Sequence, residues 1–322
     1  NFKKNPVGAP IKDKFKRGVM YADCWVEDSR LVILNALDAR EKGAKIYTRT
    51  KCTAVRKKRG AHIWRAALED QLTKQEFFVD ANLVVNAAGP WVDKVISGVD
   101  KSLPEYKTRL VKGSHIVVKK LFEGHHAYIL QNDDGRIVFA IPYEGEYTLI
   151  GTTDEEFKGD PKGVKISKKE IKYLCESVNA YFKPQISDED VVWSYSGVRS
   201  LLDDGENSAS KVTRDYVLDM RDYQGLPILS VYGGKITTFR RLSEQAANKI
   251  SEKLGREAEP WTEFAVLPGG DISTVDFHVF FKTFCREFQW LPKEMAMRYC
   301  KSYGTRARTF LRGCRRLEDL GE

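Results

Sequence analysis

The sequence predicts a multidomain protein that combines the α/β and α+β classes, with an antiparallel β-sheet region set between parts of an α/β domain. Three patterns support this prediction. A β run, two glycines and an amphipathic helix follow one another in residues 230–250. Alternating β patterns separated by short turns begin at Thr108. Helical spacing of aromatic and basic residues begins at about Val275.

The composition fits a folded protein with more than one core. The chain has 322 residues, of which 42% are hydrophobic and 30% are charged, and its net charge is +8. Its basic residues are spread in short groups such as KKNP, RKKR and FRR, so we expect no nucleic-acid binding. No apolar stretch approaches the ~20 residues that a membrane-spanning helix needs. The cysteines form no CxxC pair and the histidines show no metal-ligand spacing, which favours reduced thiols, a cytosolic setting and no metal site.

Residues 26–98 predict a helix, a strand, a hairpin and a buried strand, in that order. Helical spacing of leucine and isoleucine after Trp25 predicts a helix that ends near Gly43. The segments AKIYTRTKCTAVRKK, IWRAALEDQ and FFVD predict strands. The near-continuous apolar run of residues 83–88 predicts a central strand covered on both faces, and Gly89 and Pro90 predict a turn at its carboxyl end.

The residues after Thr108 predict an antiparallel sheet with one helix. Four β patterns are TRLVKGSHIVVKK, HAYILQND, GRIVFAIPYEG and EYTLIGTTDE, with DDG and EGE as hairpin turns. A further β pair is predicted in VVWSYSGVRSLL and TRDYVLDM. The segment KKEIKYLCESVNAYF predicts a helix with one apolar side, formed by Ile171, Leu174, Cys175, Val178 and Phe182.

The segment SVYGGKITTFRRLSEQAANKI, residues 230–250, carries the strongest functional pattern. Gly233 and Gly234 separate an apolar strand from a helix, and bare backbone at such a turn lets a ligand approach closely. The free N–H groups and positive dipole end of the helix favour an anionic or electron-rich group. Lys235, Thr237 and Thr238 add one cation and two hydroxyls there. Two glycines at such a junction also occur for packing alone, so both interpretations stay open.

Six motifs in this order resemble one enzyme family: NAAGPW, KGSHIVV, LIGTTDEEFKGDP, SYSGVRSLL, TRDYVL and YGGKITTFRRL. The chain is similar along nearly its whole length to aerobic, FAD-dependent glycerol-3-phosphate dehydrogenases. That family has an amino-terminal GxGxxG segment that binds the ADP half of FAD, and a longer carboxy-terminal helical domain. This sequence has no GxGxxG segment, begins at Asn1 and stops within a charged helical stretch. We therefore expect it to be the central part of a larger enzyme.

The resemblance implies a FAD-binding Rossmann-like domain of the glutathione-reductase type, as in the DAO superfamily, interleaved with an antiparallel substrate domain. The FAD-binding domain is expected in two parts, residues 26–98 and 206–258. The antiparallel substrate domain is expected at residues 99–205, and residues 1–25 form the end of a substrate or cap segment. Residues 262–322 are expected to form a truncated helical carboxy-terminal domain.

Four side chains match catalytic or substrate-binding positions of the family. Its reaction removes a hydroxyl proton from C2 of glycerol 3-phosphate and passes the C2 hydride to flavin N5, which requires a base and phosphate anchors. His115 in KGSHIVV matches the active-site histidine and is the expected base. Arg199 in SGVRSLL and Arg214 in TRDY match phosphate-binding positions, where a guanidinium forms paired hydrogen bonds. Lys235 is expected beside the flavin and the substrate, and Ser200 stands where the family often has proline.

The resemblance also implies which residues line FAD. The glycine turn is expected against the isoalloxazine ring, the strand around Cys52 beside the adenine, and the NAAGPW turn beside the pyrophosphate and ribose. Thr152, Thr153 and Asp154 match a family motif but are common turn formers, so they receive no catalytic role. The expected cofactor-binding residues are Cys52, Ala88, Gly89, Trp91, Gly233, Gly234, Lys235, Ile236 and Thr237.

The implied activity is oxidation of sn-glycerol 3-phosphate to dihydroxyacetone phosphate, with electrons passed to a membrane quinone. It implies a peripheral protein at the cytoplasmic face of the inner membrane, or a cytoplasmic one, and allows a homodimer. The first alternative is α-glycerophosphate oxidase, which uses oxygen and usually carries an insertion that is not evident between Tyr173 and Val191. The others are an amine or amino-acid oxidase of the same superfamily, and a non-catalytic flavoprotein fragment or basic interaction module.

Overall fold

A computed structural model describes residues 1–100, 106, 108–203, 215–257, 259–273 and 276–321. Within these ranges the chain divides into two compact units. The first unit comprises Asn1–Ala22, Lys51–Glu69 and Lys74–Glu257, and the second comprises Asp23–Thr50, Asp70–Thr73 and Ala258–Glu322. This division does not say which unit binds a cofactor or a substrate, so the predicted domain boundaries stay predictions.

The described ranges contain seven α-helices and twelve β-strands besides short 3-10 helices, and none of the described helices is both long and apolar enough to cross a membrane. In chain order they are α1 (Asp28–Glu41), β1 (Thr50–Lys57), β2 (Trp64–Asp70), β3 (Glu76–Ala81), β4 (Val84–Asn86), α2 (Val92–Val99), β5 (Thr108–Lys119), β6 (Tyr128–Gln131), β7 (Ile137–Tyr143), β8 (Tyr147–Gly151), β9 (Glu155–Glu156), α3 (Lys168–Tyr181), β10 (Val191–Leu202), β11 (Tyr216–Tyr223), β12 (Leu226–Gly233), α4 (Phe239–Lys253), α5 (Phe277–Glu287), α6 (Lys293–Tyr303) and α7 (Ala307–Phe310).

The largest sheet of the first unit has six strands and is antiparallel. Its strands lie in the order β10-β5-β8-β7-β6, and β9 also pairs with β5. This order places His115 of β5 between Tyr195 of β10 and Gly151 of β8. Helix α3 packs on one side of the sheet because its apolar stripe, including Leu174 and Val178, joins the core formed by the strands. The predicted antiparallel sheet and its helix are confirmed.

A second sheet carries the glycine turn and consists of β11, β12 and β4 in that order. β11 and β12 are antiparallel, whereas β4 runs parallel to β12 with Val84 opposite Ile228. β12 ends at Gly233, and a short 3-10 helix, Ile236–Thr238, leads into α4. The predicted succession of strand, glycine turn and helix is therefore confirmed.

A third sheet joins β1, β2 and β3, and its β2–β3 hairpin is confirmed. Trp64 at the start of β2 is fully buried, and its indole N–H donates to the carbonyl of Pro227 at 2.7 Å. The same ring stacks on Tyr223, with 5.9 Å between ring centroids. These contacts attach the third sheet to strands β11 and β12.

The second unit is helical. α5, α6 and α7 enclose an apolar core that includes the buried residues Phe284 and Leu311, as the helical spacing of this region predicts. Arg30 of α1 donates to the carbonyl of Ser302 and lies over the ring of Tyr303, 4.5 Å from its centroid. Cationic and aromatic contacts thus attach α1 to this helical core.

Three strand predictions are wrong. The segment AKIYTR is not a strand, because β1 begins only at Thr50. VVWSYSGVRSLL and TRDYVLDM do not form a β pair, since β10 pairs with β5 and β11 pairs with β12. β4 is not a central strand covered on both faces. Among the described strands only β12 pairs with it, and Val85 is 44% exposed.

Candidate active site

The two faces of the six-stranded sheet carry different side chains. Alternate residues of a strand point to opposite faces, so Ser114 and Ile116 of β5 lie towards α3 whereas Gly113 and His115 lie on the other side. We call the side packed against α3 the covered face. The other side is the open face, since six large apolar residues on it are between 37% and 54% exposed: Ile129, Ile137, Phe139, Tyr147, Trp193 and Tyr195.

His115 lies at the middle of the open face. Its imidazole stacks on the ring of Tyr195, with 4.7 Å between centroids and 6° between planes. On the other side, a Cβ added to Gly151 would lie 2.1 Å from Cδ2 of His115, so the ring occupies the space above this glycine. Burial, helped by the charge of Arg199, lowers the pKa of His115 to about 4. The imidazole is therefore neutral at pH 7 and able to accept a proton.

Arg199 lies on the same face, one strand away from His115. Its Nη1 donates to the carboxylate of Asp154, and its Nη2 donates to Oγ1 of Thr152 at 3.1 Å. A Cβ on Gly113 would lie 2.6 Å from Nη2, so the guanidinium also lies over a bare glycine. Each of these two nitrogens carries a second N–H group, and Nε carries one N–H group of its own. The guanidinium is thus fixed in position while it keeps donors for an anion.

Glu170 of α3 supports both positions from the covered face. It is 1% exposed, and Oε1 accepts from Ser114 Oγ at 2.8 Å and from Thr153 Oγ1 at 2.9 Å. Oε2 accepts from the backbone N–H and hydroxyl of Ser167, both at 2.8 Å, and pairs with Lys112 Nζ at 2.7 Å. Burial alone raises the pKa of Glu170, but these hydrogen bonds outweigh it and lower the pKa to about 2. The Glu170 carboxylate therefore anchors Ser114, the neighbour of His115. It also anchors Thr153, which lies between the two partners of Arg199.

Except for Cys52, the residues expected around a cofactor lie at one edge of the second sheet. The NAAGPW turn follows β4, and the glycine turn follows the parallel strand β12, so both leave the sheet at its carboxyl edge. Gly89 has φ of 52°, and a Cβ there would meet no atom within 4 Å. This turn therefore presents bare backbone to open space. Ala88, Gly89 and Trp91 are all partly exposed.

The glycines of the second turn have a packing reason of their own. A Cβ on Gly233 would lie 2.4 Å from the carbonyl oxygen of Asp215, and one on Gly234 would lie 3.0 Å from Leu242. Both residues also have positive φ, at 73° and 96°. The packing interpretation of this glycine pair is thus confirmed, and it is compatible with a ligand on the exposed side of the turn, where Lys235, Ile236 and Thr237 lie.

The structure brings together some of the expected site residues and separates others. His115 and Arg199 share the open face, but no hydrogen bond or ion pair recorded for the described residues joins either to Lys235. Cys52 is exposed on β1 of the third sheet, where its thiol lies 3.6 Å from the carbonyl oxygen of Ala54. Arg214 lies outside the described residues. Among the residues that are described, no cluster of three or more His, Cys, Asp or Glu is arranged to hold a metal ion.

Sequence reasoning gave no role to four residues that define this site. Thr152 and Asp154 hold Arg199, and their signal was present in the GTTDEE motif. Glu170 also had a signal, because it lies four residues before the buried Leu174 on the apolar stripe of a helix. The stacking of Tyr195 on His115 had none, since it depends on which strands become neighbours.

Comparisons with known proteins bear on this arrangement. The family model "FAD dependent oxidoreductase" (DAO) matches residues 4–240. D-erythritol 1-phosphate dehydrogenase of Brucella abortus is 44% identical, and the match covers 100% of this chain and 64% of that protein. Glycerol-3-phosphate dehydrogenase of Pseudomonas aeruginosa is also 44% identical, with 98% of this chain and 61% of that protein covered.

A solved structure shares the fold. The glycerol-3-phosphate dehydrogenase from Bacillus halodurans, complexed with FAD, has a TM-score of 0.75 at 26% identity. The match covers 87% of this chain and 54% of that one. The chain thus spans less than two thirds of each of these relatives.

Proposed function

Because this chain belongs to the family of FAD-dependent oxidoreductases, we propose that it forms the substrate side of an enzyme that oxidises sn-glycerol 3-phosphate to dihydroxyacetone phosphate. The observation that carries the proposal is the pairing of a neutral, half-buried imidazole, His115, with a fixed guanidinium, Arg199, on one open sheet face. A phosphorylated secondary alcohol needs both groups, one for its hydroxyl proton and one for its phosphate. The names of relatives at 44% identity support this substrate class.

Arg199 binds the phosphate. Thr152 and Asp154 each occupy one hydrogen on a terminal nitrogen, so one N–H on each terminal nitrogen and the Nε N–H remain as donors for an anion. The same contacts hold the side chain in one conformation, which reduces the entropy lost when a ligand binds. Lys235 and Arg214 are proposed as further phosphate contacts on the basis of the family motifs.

His115 accepts the hydroxyl proton. The stack on Tyr195 and the bare backbone of Gly151 fix the plane of the ring, and the low pKa keeps the ring unprotonated before substrate binds. Once the proton is transferred, His115 carries a positive charge, as Arg199 does. The bound phosphate lies near both cations and offsets the repulsion between them.

The residues present fit a flavin at the carboxyl edge of β4 and β12. Bare backbone at Gly89 and the exposed turn of Lys235, Ile236 and Thr237 leave that edge accessible to a flat ring and a pyrophosphate. FAD, when bound, accepts the hydride from the substrate carbon. We further propose that the electrons pass to a membrane quinone, with the protein at the membrane periphery, as the family motifs imply.

The test is a flavin spectrum followed by anaerobic reduction. The purified protein should show a flavin band at about 450 nm that bleaches on addition of glycerol 3-phosphate. Unphosphorylated glycerol should bleach it far more slowly, since it lacks the group that Arg199 binds. D-erythritol 1-phosphate tests the second substrate that a relative's name supports. A flavin that responds to glycerol and glycerol 3-phosphate alike would overturn the proposal. When the reduced protein is then given oxygen and a quinone, hydrogen peroxide formed in place of quinol would favour the oxidase.

A further inference from the structure

No contact with a described residue requires Gly197 of β10 to be glycine. Gly113 and Gly151 must be bare, because side chains of Arg199 and His115 lie over them. A Cβ on Gly197, in contrast, would meet no atom of the described residues within 4 Å, and its φ lies outside the left-handed region that favours glycine. Glycine in the middle of a strand weakens that strand, and it often marks a place where a ligand approaches the backbone.

The position of Gly197 in β10 places its bare backbone on the open face. It lies two residues from Tyr195 and two from Arg199, so all three occupy the open face. It is also directly opposite Gly113 of β5. Gly113 is covered by the guanidinium of Arg199, so the exposed backbone of Gly197 alone forms a strip without side chains on β10, between Tyr195, which stacks on His115, and Arg199.

We propose that Gly197 is a specificity-determining residue that keeps open the path for the carbon chain of a phosphorylated polyol between Arg199 and His115. This inference rests on the proposed function. A substrate with phosphate on Arg199 and its reacting hydroxyl at His115 must cross the strip, and a methyl group at Gly197 would occupy part of that path. The longer the carbon chain, the more of the strip it needs, so a polyol phosphate with one more carbon is affected more strongly.

The test compares Gly197→Ala with Gly163→Ala in the flavin-loaded protein. Gly163 is a matched control, because it is exposed, has an ordinary φ and would likewise place its Cβ in open space, but it lies in a 3-10 helix outside the open face. The thermal midpoint of Gly197→Ala should stay the same or rise. Its KM for glycerol 3-phosphate should rise about tenfold or more, the effect of one methyl group in a substrate pocket. Calorimetric binding of dihydroxyacetone phosphate should weaken in parallel, and Gly163→Ala should change neither.

Three results would overturn this assignment, and they are distinguishable. An unchanged KM in both Gly197→Ala and the larger Gly197→Val would show that no ligand crosses the strip. A fall in thermal midpoint with unchanged dihydroxyacetone phosphate binding would give Gly197 a structural role instead. A wild-type protein that neither binds dihydroxyacetone phosphate nor reduces its flavin with glycerol 3-phosphate would overturn the proposed function itself, and this inference with it.

Discussion

The covered and open faces of the six-stranded sheet are built from the same strands, yet they do different physical work. On the covered face, Ile116, Val118 and Val138 are fully buried against α3, and the buried carboxylate of Glu170 has partners at both oxygens. On the open face, bare glycines lie beneath two ionisable side chains, and large aromatic residues stay exposed. Because side chains alternate between the two faces along a β-strand, half of the residues in a strand can stabilise the fold while the other half carry the reactive groups.

This contrast separates two kinds of mutational effect. A change on the covered face should act on the free energy of unfolding, because it removes contacts or leaves a buried charge unpaired. At neutral pH, a change to a partly exposed side chain on the open face should act on substrate binding and turnover with little loss of stability, because such side chains contribute little to folding. The four predictions below test this separation, starting with the largest effect.

His115→Ala should lower turnover of glycerol 3-phosphate by about 10²- to 10⁴-fold, the contribution of a general base. The flavin content should not change, because the proposed cofactor contacts lie at the edge of a different sheet. Stopped-flow flavin reduction and the absorbance ratio of flavin to protein measure the two quantities. If flavin is lost along with activity, His115 belongs to the structure and not to the chemistry.

Glu170→Gln should lower the free energy of unfolding by about 3–5 kcal/mol, because Lys112 and the buried hydroxyls lose the carboxylate that pairs with them. Urea unfolding measures this change. Glu176→Gln is the matched control, since it makes the same substitution on the same helix, where Glu176 is exposed and lies 3.8 Å from Lys172. The control should change stability by no more than about 0.5 kcal/mol. Equal effects of the two variants would contradict the idea that Glu170 anchors the covered face.

The covered face could be predicted from the sequence more completely than the open face. The apolar stripe of α3 and the alternation in β5 are local patterns, and each indicates its own element without reference to the rest of the chain. Strand pairing is not local. Sequence adjacency suggested that β10 pairs with the segment of β11, whereas β10 pairs with β5, far earlier in the chain.

The same limit applies to the candidate site. Family motifs single out His115 and Arg199, whose catalytic roles stay predictions. The residues that fix them, Tyr195 and Asp154, become their neighbours only when β5 lies between β10 and β8. Geometry of this kind depends on sheet order and register, which a single sequence leaves undetermined wherever a strand pairs with a distant partner.

The two faces should also lose stability in different pH windows. The folded pKa of His115, about 4, lies below its unfolded value of 6.5, so the unfolded chain binds the proton first and stability falls as pH decreases from about 6.5 to 4. The slope should be roughly 1.4 kcal/mol per pH unit. The Glu170 contribution is lost lower, as pH falls from about 4.5 to 2. Urea unfolding of wild type and His115→Asn at several pH values isolates the first window, and parallel curves for the two proteins between pH 6.5 and 4 would contradict it.

Arg199→Lys should raise the KM for glycerol 3-phosphate by about tenfold, or 1.4 kcal/mol, because an ammonium group cannot contact Thr152, Asp154 and a phosphate with a rigid fork. Stability should change little, since the side chain lies on the open face. Arg136→Lys is the control, because Arg136 pairs with Asp134 and stacks on Tyr173 away from His115. Steady-state kinetics with glycerol 3-phosphate measure both variants. An unchanged KM in Arg199→Lys would mean that the guanidinium serves only to hold Asp154, and the phosphate would then have to bind elsewhere on the open face.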